Sequence, residues 1–231
     1  MITGPLAAEK EVSYPMFKTV IFDLDGTLLN TLDDLAYSCN RVCEAHGWPT
    51  FTLAEYRYFV GNGMPKLVER FSPADKRDPA TQAAVLEEFL AIYDEHKQDK
   101  TAPYAGVARL LENLRAAGVQ IGIFSNKDDG PAHAVVEHYL PGLAHFIRGR
   151  VEGFPTKPDP AGLVALMGDM QADPASTLFV GDSDVDILTG HNGRLPACGV
   201  LWGFRTREEL QQAGADFLAA DAAELERIIL R

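Results

Sequence analysis

The chain has 231 residues, 46% of them hydrophobic and 9% aromatic, enough apolar material for a buried core without disulfides or a structural metal. Its 33 acidic against 21 basic residues leave a formal net charge of -12, the wrong sign for a protein held on phosphate backbones by counterion release. The longest uncharged stretch, Ala116 to Asn126, is far short of the roughly 18 to 20 apolar residues of a membrane span, so neither nucleic acid nor a membrane is expected as a partner.

Residues 1–15 read as an N-terminal extension in which Glu9, Lys10 and Glu11 interrupt a short apolar piece. No secretory signal is expected there, and a cytoplasmic location is. Phe17 to Asp23 is a short β-branched run that stops at two acids and a glycine, which predicts a buried strand ending in a loop. From Leu32 to Pro103 the rhythm changes. Helical spacing predicts helices over about 32–46, 53–59, 64–71 and 79–97 and no convincing strand, a helical insertion. Asp33 and Asp34 favour a helix start near Thr31, Gly47 and Pro49 end that helix, and Pro79 opens the last one. Cys39 and Cys43 in this segment, like Cys198, sit among apolar neighbours and read as buried thiols.

Beyond the insertion, Val107, Leu110, Leu111 and Leu114 fall at i, i+3, i+4 and i+7, and Gly118 closes that helix. Further strand runs follow at Val119–Ser125, Thr177–Asp182 and Ala197–Trp202. Alternating strand and helix predicts an α/β fold, a parallel sheet with helices on both faces. Such a sheet collects ligands at the carboxyl ends of its strands. Polar residues stand at three of those ends: Asp23 with Asp25, Ser125 with Asn126, and Asp182.

Asp23-Leu24-Asp25-Gly26-Thr27 offers two carboxylates that can face one cavity. One could attack an electrophile such as phosphorus while the other passes a proton, if a cation offsets their repulsion. An ordinary Asx-rich turn has the same composition. In Gly181-Asp182-Ser183-Asp184-Val185-Asp186, Asp182 and Asp186 are four apart at a helix start. Oxygen ligands with no His or Cys cluster suit Mg²⁺ rather than Zn²⁺, although acids also simply cap helices there. Ser125 and Asn126 can hydrogen-bond phosphoryl oxygens, and Lys157 in Lys157-Pro158-Asp159-Pro160 supplies positive charge. The six histidines are scattered and read as surface or packing residues.

These four ordered motifs resemble those of the haloacid dehalogenase (HAD) superfamily of phosphohydrolases. The resemblance implies a Rossmann-like α/β core over 16–31 and 104–231 and an all-helical cap domain over 32–103. It implies that Asp23 is the nucleophile that becomes an aspartyl-phosphate and that Asp25 is the general acid and base. Ser125 and Lys157 would hold the phosphoryl group, with Gly26, Thr27 and Asn126 in the substrate site. Mg²⁺ would be held by Asp23, the Asp25 carbonyl and Asp182, with Asp186 behind them orienting Lys157 or a water. Asp34-Leu35 with Asn40, Glu55-Tyr56-Arg57, Val60-Gly61-Asn62-Gly63, Tyr104 with Gly106-Val107, Ser125-Asn126-Lys127 and Trp202-Gly203 are similar to bacterial phosphoglycolate phosphatases within that superfamily. Gly61, Asn62 and Lys66, with Arg70 as the alternative to Lys66, would then meet the substrate from the cap.

The expected activity is Mg²⁺-dependent hydrolysis of a small phosphorylated metabolite, with 2-phosphoglycolate leading, by a monomer or homodimer. The presence of Asp25 disfavours dehalogenase and phosphonatase chemistry. A phosphosugar mutase keeps both aspartates and the helical cap and stays open as an alternative. A non-enzymatic binding protein would be expected to lack at least one of these groups.

Overall fold

The computed structural model describes residues 17–231; the extension read at 1–15 lies outside the described residues. Strand β1 (Thr19–Phe22) is buried along its whole length. Val20 and Phe22 enter one apolar cluster and Ile21 another, because a pleated strand sends alternate side chains to opposite faces. The apolar run is therefore continuous, as a strand covered on both faces requires.

After a two-residue strand, β2 (Leu29–Asn30), come helices α1 (Leu32–Ala45), α2 (Leu53–Phe59), α3 (Met64–Phe71) and α4 (Pro79–His96). The expected bounds hold to within one residue. The chain returns through β3 (Ala102–Pro103), antiparallel to β2. This ribbon corrects the reading of the segment as strand-free, since two residues are too few for alternation to be read. Asp34 also does more than favour a helix start. Its buried carboxylate accepts from the Lys100 N–H at 3.0 Å, the Thr101 N–H at 2.8 Å and the Thr101 hydroxyl at 2.8 Å. It thereby ties the start of α1 to the returning chain.

The four helices enclose their own apolar cluster, which includes Leu35, Cys39, Val42, Tyr56, Phe71 and Phe89. Asn40 braces the link from α1 to α2: its amide donates to the Phe51 carbonyl and accepts from the Phe51 N–H and the Tyr56 hydroxyl. Cys39 and Cys43 are buried free thiols, and burial pushes both above the ordinary thiol range, which makes them inert.

The rest of the chain runs α5 (Val107–Ala116), β4 (Gln120–Asp128), α6 (Asp129–Tyr139), β5 (Phe146–Arg150), α7 (Ala161–Met170), β6 (Thr177–Gly181), α8 (Asp184–Asn192), β7 (Ala197–Val200), α9 (Arg207–Gln212), β8 (Phe217–Ala219) and α10 (Ala222–Ile229). The buried residues of α5 are the four predicted from its spacing. Among the described residues, six strands form one sheet in the order β5-β4-β1-β6-β7-β8, and every pairing in it is parallel. Helices α5, α6 and α10 cover one face and α7 the other.

Strands β5 and β8 were not expected. Both are edge strands: β5 carries two arginines and has only one buried residue, and β8, although apolar, is only three residues long, so neither has the long apolar run that marks an interior strand. Strand β4 outruns its predicted end because Asp128 pairs with Arg150 on β5, across a register shift after Phe124. Strand β1 lies between β4 and β6, where strand order departs in both directions. That switch point opens a crevice at the carboxyl ends. No described helix is long and apolar enough to cross a membrane.

Candidate functional site

At the end of β1 the chain turns on the Leu24 carbonyl, which accepts from the N–H groups of Leu28 and Leu29, both at 3.0 Å. Leu24 is fully buried between the two acids, so Asp23 and Asp25 are directed together into the crevice. Gly26 sits at φ +94°, and a Cβ there would lie 2.5 Å from an Asp182 carboxylate oxygen. Glycine is required on both counts, the backbone angle and the space.

Lys157 joins two of the four motifs directly. Its Nζ donates to Asp23 Oδ1 and to Asp186 Oδ1, each at 2.6 Å, and both the Lys157 and Asp186 side chains are 2% exposed. Asp186 uses its other oxygen to accept from the Asp182 and Ser183 N–H groups and the Ser183 hydroxyl. The helix-capping reading and the site reading of this acid are thus both correct, one for each oxygen. Asp182 accepts from the Thr27 hydroxyl at 3.1 Å and the Phe204 N–H at 2.7 Å. Asn192 braces the Lys157 loop from behind, donating to the Pro158 carbonyl at 2.8 Å.

Asp23, Asp182 and Asp186 each bring an oxygen within 4.8 Å of the others, with one ammonium among them. Burial first, then Asp186, raises the Asp23 carboxyl well above its usual range despite Lys157. The same two causes push Asp182 up to about 7. Burial alone would discharge Lys157, but Asp186 and Asp23 outweigh it and hold its pKa above the ordinary lysine value. Surplus negative charge among buried oxygens, with no nitrogen or sulfur ligand, is the chemistry of a hard divalent cation site. Asp186 is the most committed of the three, with one oxygen on Lys157 and the other on three donors, whereas Asp182 carries a single hydrogen bond on each oxygen, so Asp23 and Asp182 are the side chains better placed to hold it.

This surplus has a measurable consequence. Without metal, folded Asp182 keeps its proton up to about pH 7, whereas the unfolded residue ionises near its ordinary value. Between those limits the native state binds more protons, so stability falls as pH rises. The melting temperature of the metal-free protein is expected to drop between about pH 4 and pH 7, and saturating Mg²⁺ to flatten that drop. Scanning calorimetry with and without chelator checks this; identical pH profiles would contradict it.

The other sequence-selected residues divide. Ser125, Asn126 and Gly61 line the crevice with Asp23 and Asp25. Asn126, however, is not free for substrate through its side chain: its oxygen accepts from the Lys157 N–H at 2.8 Å and its amide donates to the Gly61 carbonyl at 2.9 Å. Gly26 and Thr27 act on Asp182 rather than lining the crevice. Lys66 does not reach the site. It lies 45% exposed in an ion pair with Glu69 on the same helix, because its position on α3 points outward. Arg70 points inward but is spent on the Phe59 carbonyl and on Asn62 Oδ1, so Asn62 and Arg70 brace the loop from behind.

The crevice has a free volume of about 30 Å³, and its roof of Leu35, Val60, Met64 and Leu67 is apolar. That is room for roughly two or three water-sized groups. The roof is joined to the sheet at several points. Phe204 inserts into the helical cluster, and Arg205 donates to the Arg57 carbonyl while its guanidinium lies over the Tyr58 ring. Trp202 holds the turn after Asp25 by donating to the Thr27 carbonyl at 2.9 Å.

Lys127 stands in the second motif, and the sequence reading gave it no role. It is buried and donates to both Asp25 carboxylate oxygens at 3.1 Å. A lysine three residues beyond the apolar run that ends at Phe124 was the available signal, since a buried ammonium requires a partner.

A protein-family model described as haloacid dehalogenase-like hydrolase matches residues 20–200. Phosphoglycolate phosphatase of Vibrio cholerae is 31% identical over 221 residues, covering 92% of this chain and 97% of the relative. That of Rhodospirillum rubrum is 36% identical over 220 residues, covering 91% and 90%. The crystal structure of a candidate phosphoglycolate phosphatase from Lactobacillus delbrueckii superposes with a TM-score of 0.88 at 30% identity, covering 94% of this chain and 99% of that one. With the match spanning most of the chain and the four motifs converging at one crevice, the protein belongs to the haloacid dehalogenase-like hydrolase family.

Proposed function

We propose that this protein is a Mg²⁺-dependent phosphatase that hydrolyses a small phosphate monoester through an aspartyl-phosphate, with 2-phosphoglycolate as the leading substrate. The observation that carries the reading is the Lys157 ammonium bonded to both Asp23 and Asp186 in a buried crevice. It fixes one carboxylate as an aimed nucleophile and adds positive charge where a phosphoryl group would lie. Curated relatives of nearly the same length carry the phosphoglycolate phosphatase name, and the small crevice, with Asp23, Asp25 and Ser125 beneath an apolar roof, suits a short leaving group.

In this mechanism an Asp23 oxygen bonds to phosphorus as the ester P–O bond breaks, and the leaving oxygen takes a proton from Asp25. Asp25 then takes a proton from water as that water attacks phosphorus and the bond to Asp23 breaks, releasing phosphate and restoring both acids. Ser125 and Lys157 hold the phosphoryl oxygens. Asp23, the Asp25 carbonyl and Asp182 would hold Mg²⁺, which supplies the charge neutralisation that brings a carboxylate and a phosphate dianion together. Helices α1–α4, over 32–103, act as a cap on the core formed by 16–31 and 104–231, and exclude bulk water when seated.

Phosphate release from 2-phosphoglycolate, hexose phosphates, nucleotides and pyrophosphate, with and without Mg²⁺, tests the reading. The expected result is Mg²⁺-dependent release that favours 2-phosphoglycolate. Preference for another ester would keep the mechanism and discard the substrate; no release from any of them would remove the phosphatase assignment.

A further inference from the structure

We propose that Lys127 is a positioning residue that holds Asp25 in the orientation for proton transfer, and that Tyr93 makes this hold depend on the seated cap. The inference rests on the phosphatase reading above. Lys127 Nζ is 3.1 Å from each Asp25 oxygen and 3.4 Å from the Tyr93 hydroxyl, and lies 5.4 Å from the centroid of the Tyr93 ring. Its side chain is 1% exposed and that of Asp25 14%. An ammonium has three N–H groups; two are directed to Asp25 and one to Tyr93.

Lys127 is therefore fully engaged and is not a spare cation for substrate. Among the described residues, no other side chain donates a hydrogen bond to Asp25. Without Lys127, that carboxylate would turn freely about its side-chain bonds at the mouth of the crevice. A misaligned acid loses most of what positioning contributes to proton transfer.

Tyr93 stands on α4, stacked on Phe89 with ring centroids 5.7 Å apart and an angle of 11° between planes. It belongs to the helical cluster rather than to the sheet, so lifting the cap removes both its hydroxyl and its ring face from Lys127. The acid is aligned when the cap that excludes water is down, and water exclusion and proton delivery arrive together.

Leaving-group dependence separates this role from a merely structural one. A 4-nitrophenyl ester departs as a stable anion and needs no proton, whereas an alkyl ester such as 2-phosphoglycolate does. Because kcat/KM reports the steps through Asp23 phosphorylation, its alkyl-to-aryl ratio reads the acid alone.

In the full chain with Mg²⁺, Lys127→Met is expected to lower kcat/KM for the alkyl ester on the order of 10²-fold more than for the aryl ester. Lys127→Arg should restore most of the ratio, and Tyr93→Phe should shift it the same way by roughly 3- to 10-fold. Equal losses on both esters in Lys127→Met, with an unchanged ratio in Tyr93→Phe, would overturn the proposal. If Lys127→Met does not fold, the ratio in Tyr93→Phe decides alone. A wild-type protein that cleaves neither ester would instead overturn the phosphatase reading.

Discussion

Replacing Asp23 by Asn is expected to abolish phosphate release, by on the order of 10⁴-fold or more, without lowering the melting temperature. The activity loss follows from chemistry, because an amide oxygen is too weak a nucleophile to displace an ester from phosphorus. The stability expectation follows from the site. Burial, Asp186 and Asp182 all oppose the Asp23 charge, so a neutral side chain of the same shape relieves repulsion, while Lys157 keeps its bond to Asp186. A phosphate-release assay beside a thermal melt reads both quantities. Turnover within tenfold of wild type would remove Asp23 from the nucleophile role, and a large fall in melting temperature would mean that its carboxylate is a net structural support.

Lys157→Met is expected to destabilise the protein by about 3–5 kcal/mol, the usual cost of removing one partner from a buried ion pair. It should also reduce turnover at least 10³-fold, because it removes both the phosphoryl contact and the group that aims Asp23. The bridge to Asp23 and Asp186 is almost fully buried, so water cannot replace the ammonium. Two carboxylates would be left facing each other, and one must take up a proton. Adding Asp23→Asn to Lys157→Met should recover part of the lost stability but none of the activity, since the second change removes one orphaned charge. Denaturant midpoints of the two single variants and the double variant form the cycle. Strict additivity would mean that the ion bridge does not organise this site.

Much of the candidate site was legible because its motifs are local. Asp23 and Asp25 follow a strand run and precede a glycine that must turn, and Asp182 follows another such run. A parallel sheet then brings those strand ends together by topology alone. The helical insertion was legible for a similar reason: the repeat of apolar side chains along a helix is set by residues three and four apart. What spacing left open was how the basic side chains of the insertion are used. Lys66 and Arg70 both follow the Gly61–Gly63 loop, yet Lys66 turns outward to Glu69 while Arg70 braces that loop. Spacing after a glycine does not say which side of a short helix faces a cleft.

By itself, the sequence determined the helices of the insertion and α5, the strand runs of β1, β4, β6 and β7, and the acids at the strand ends, since each depends on neighbours within a few residues. The tertiary structure decided how those groups are used. Lys157 meets Asp23 across 134 residues, Lys127 meets Asp25 across 102, and Asp34 meets Thr101 across 67. A buried charge takes whichever partner the packed chain brings within about 3 Å. That choice is made by the sheet order and by the seating of the helices on the sheet, which no short window of sequence contains.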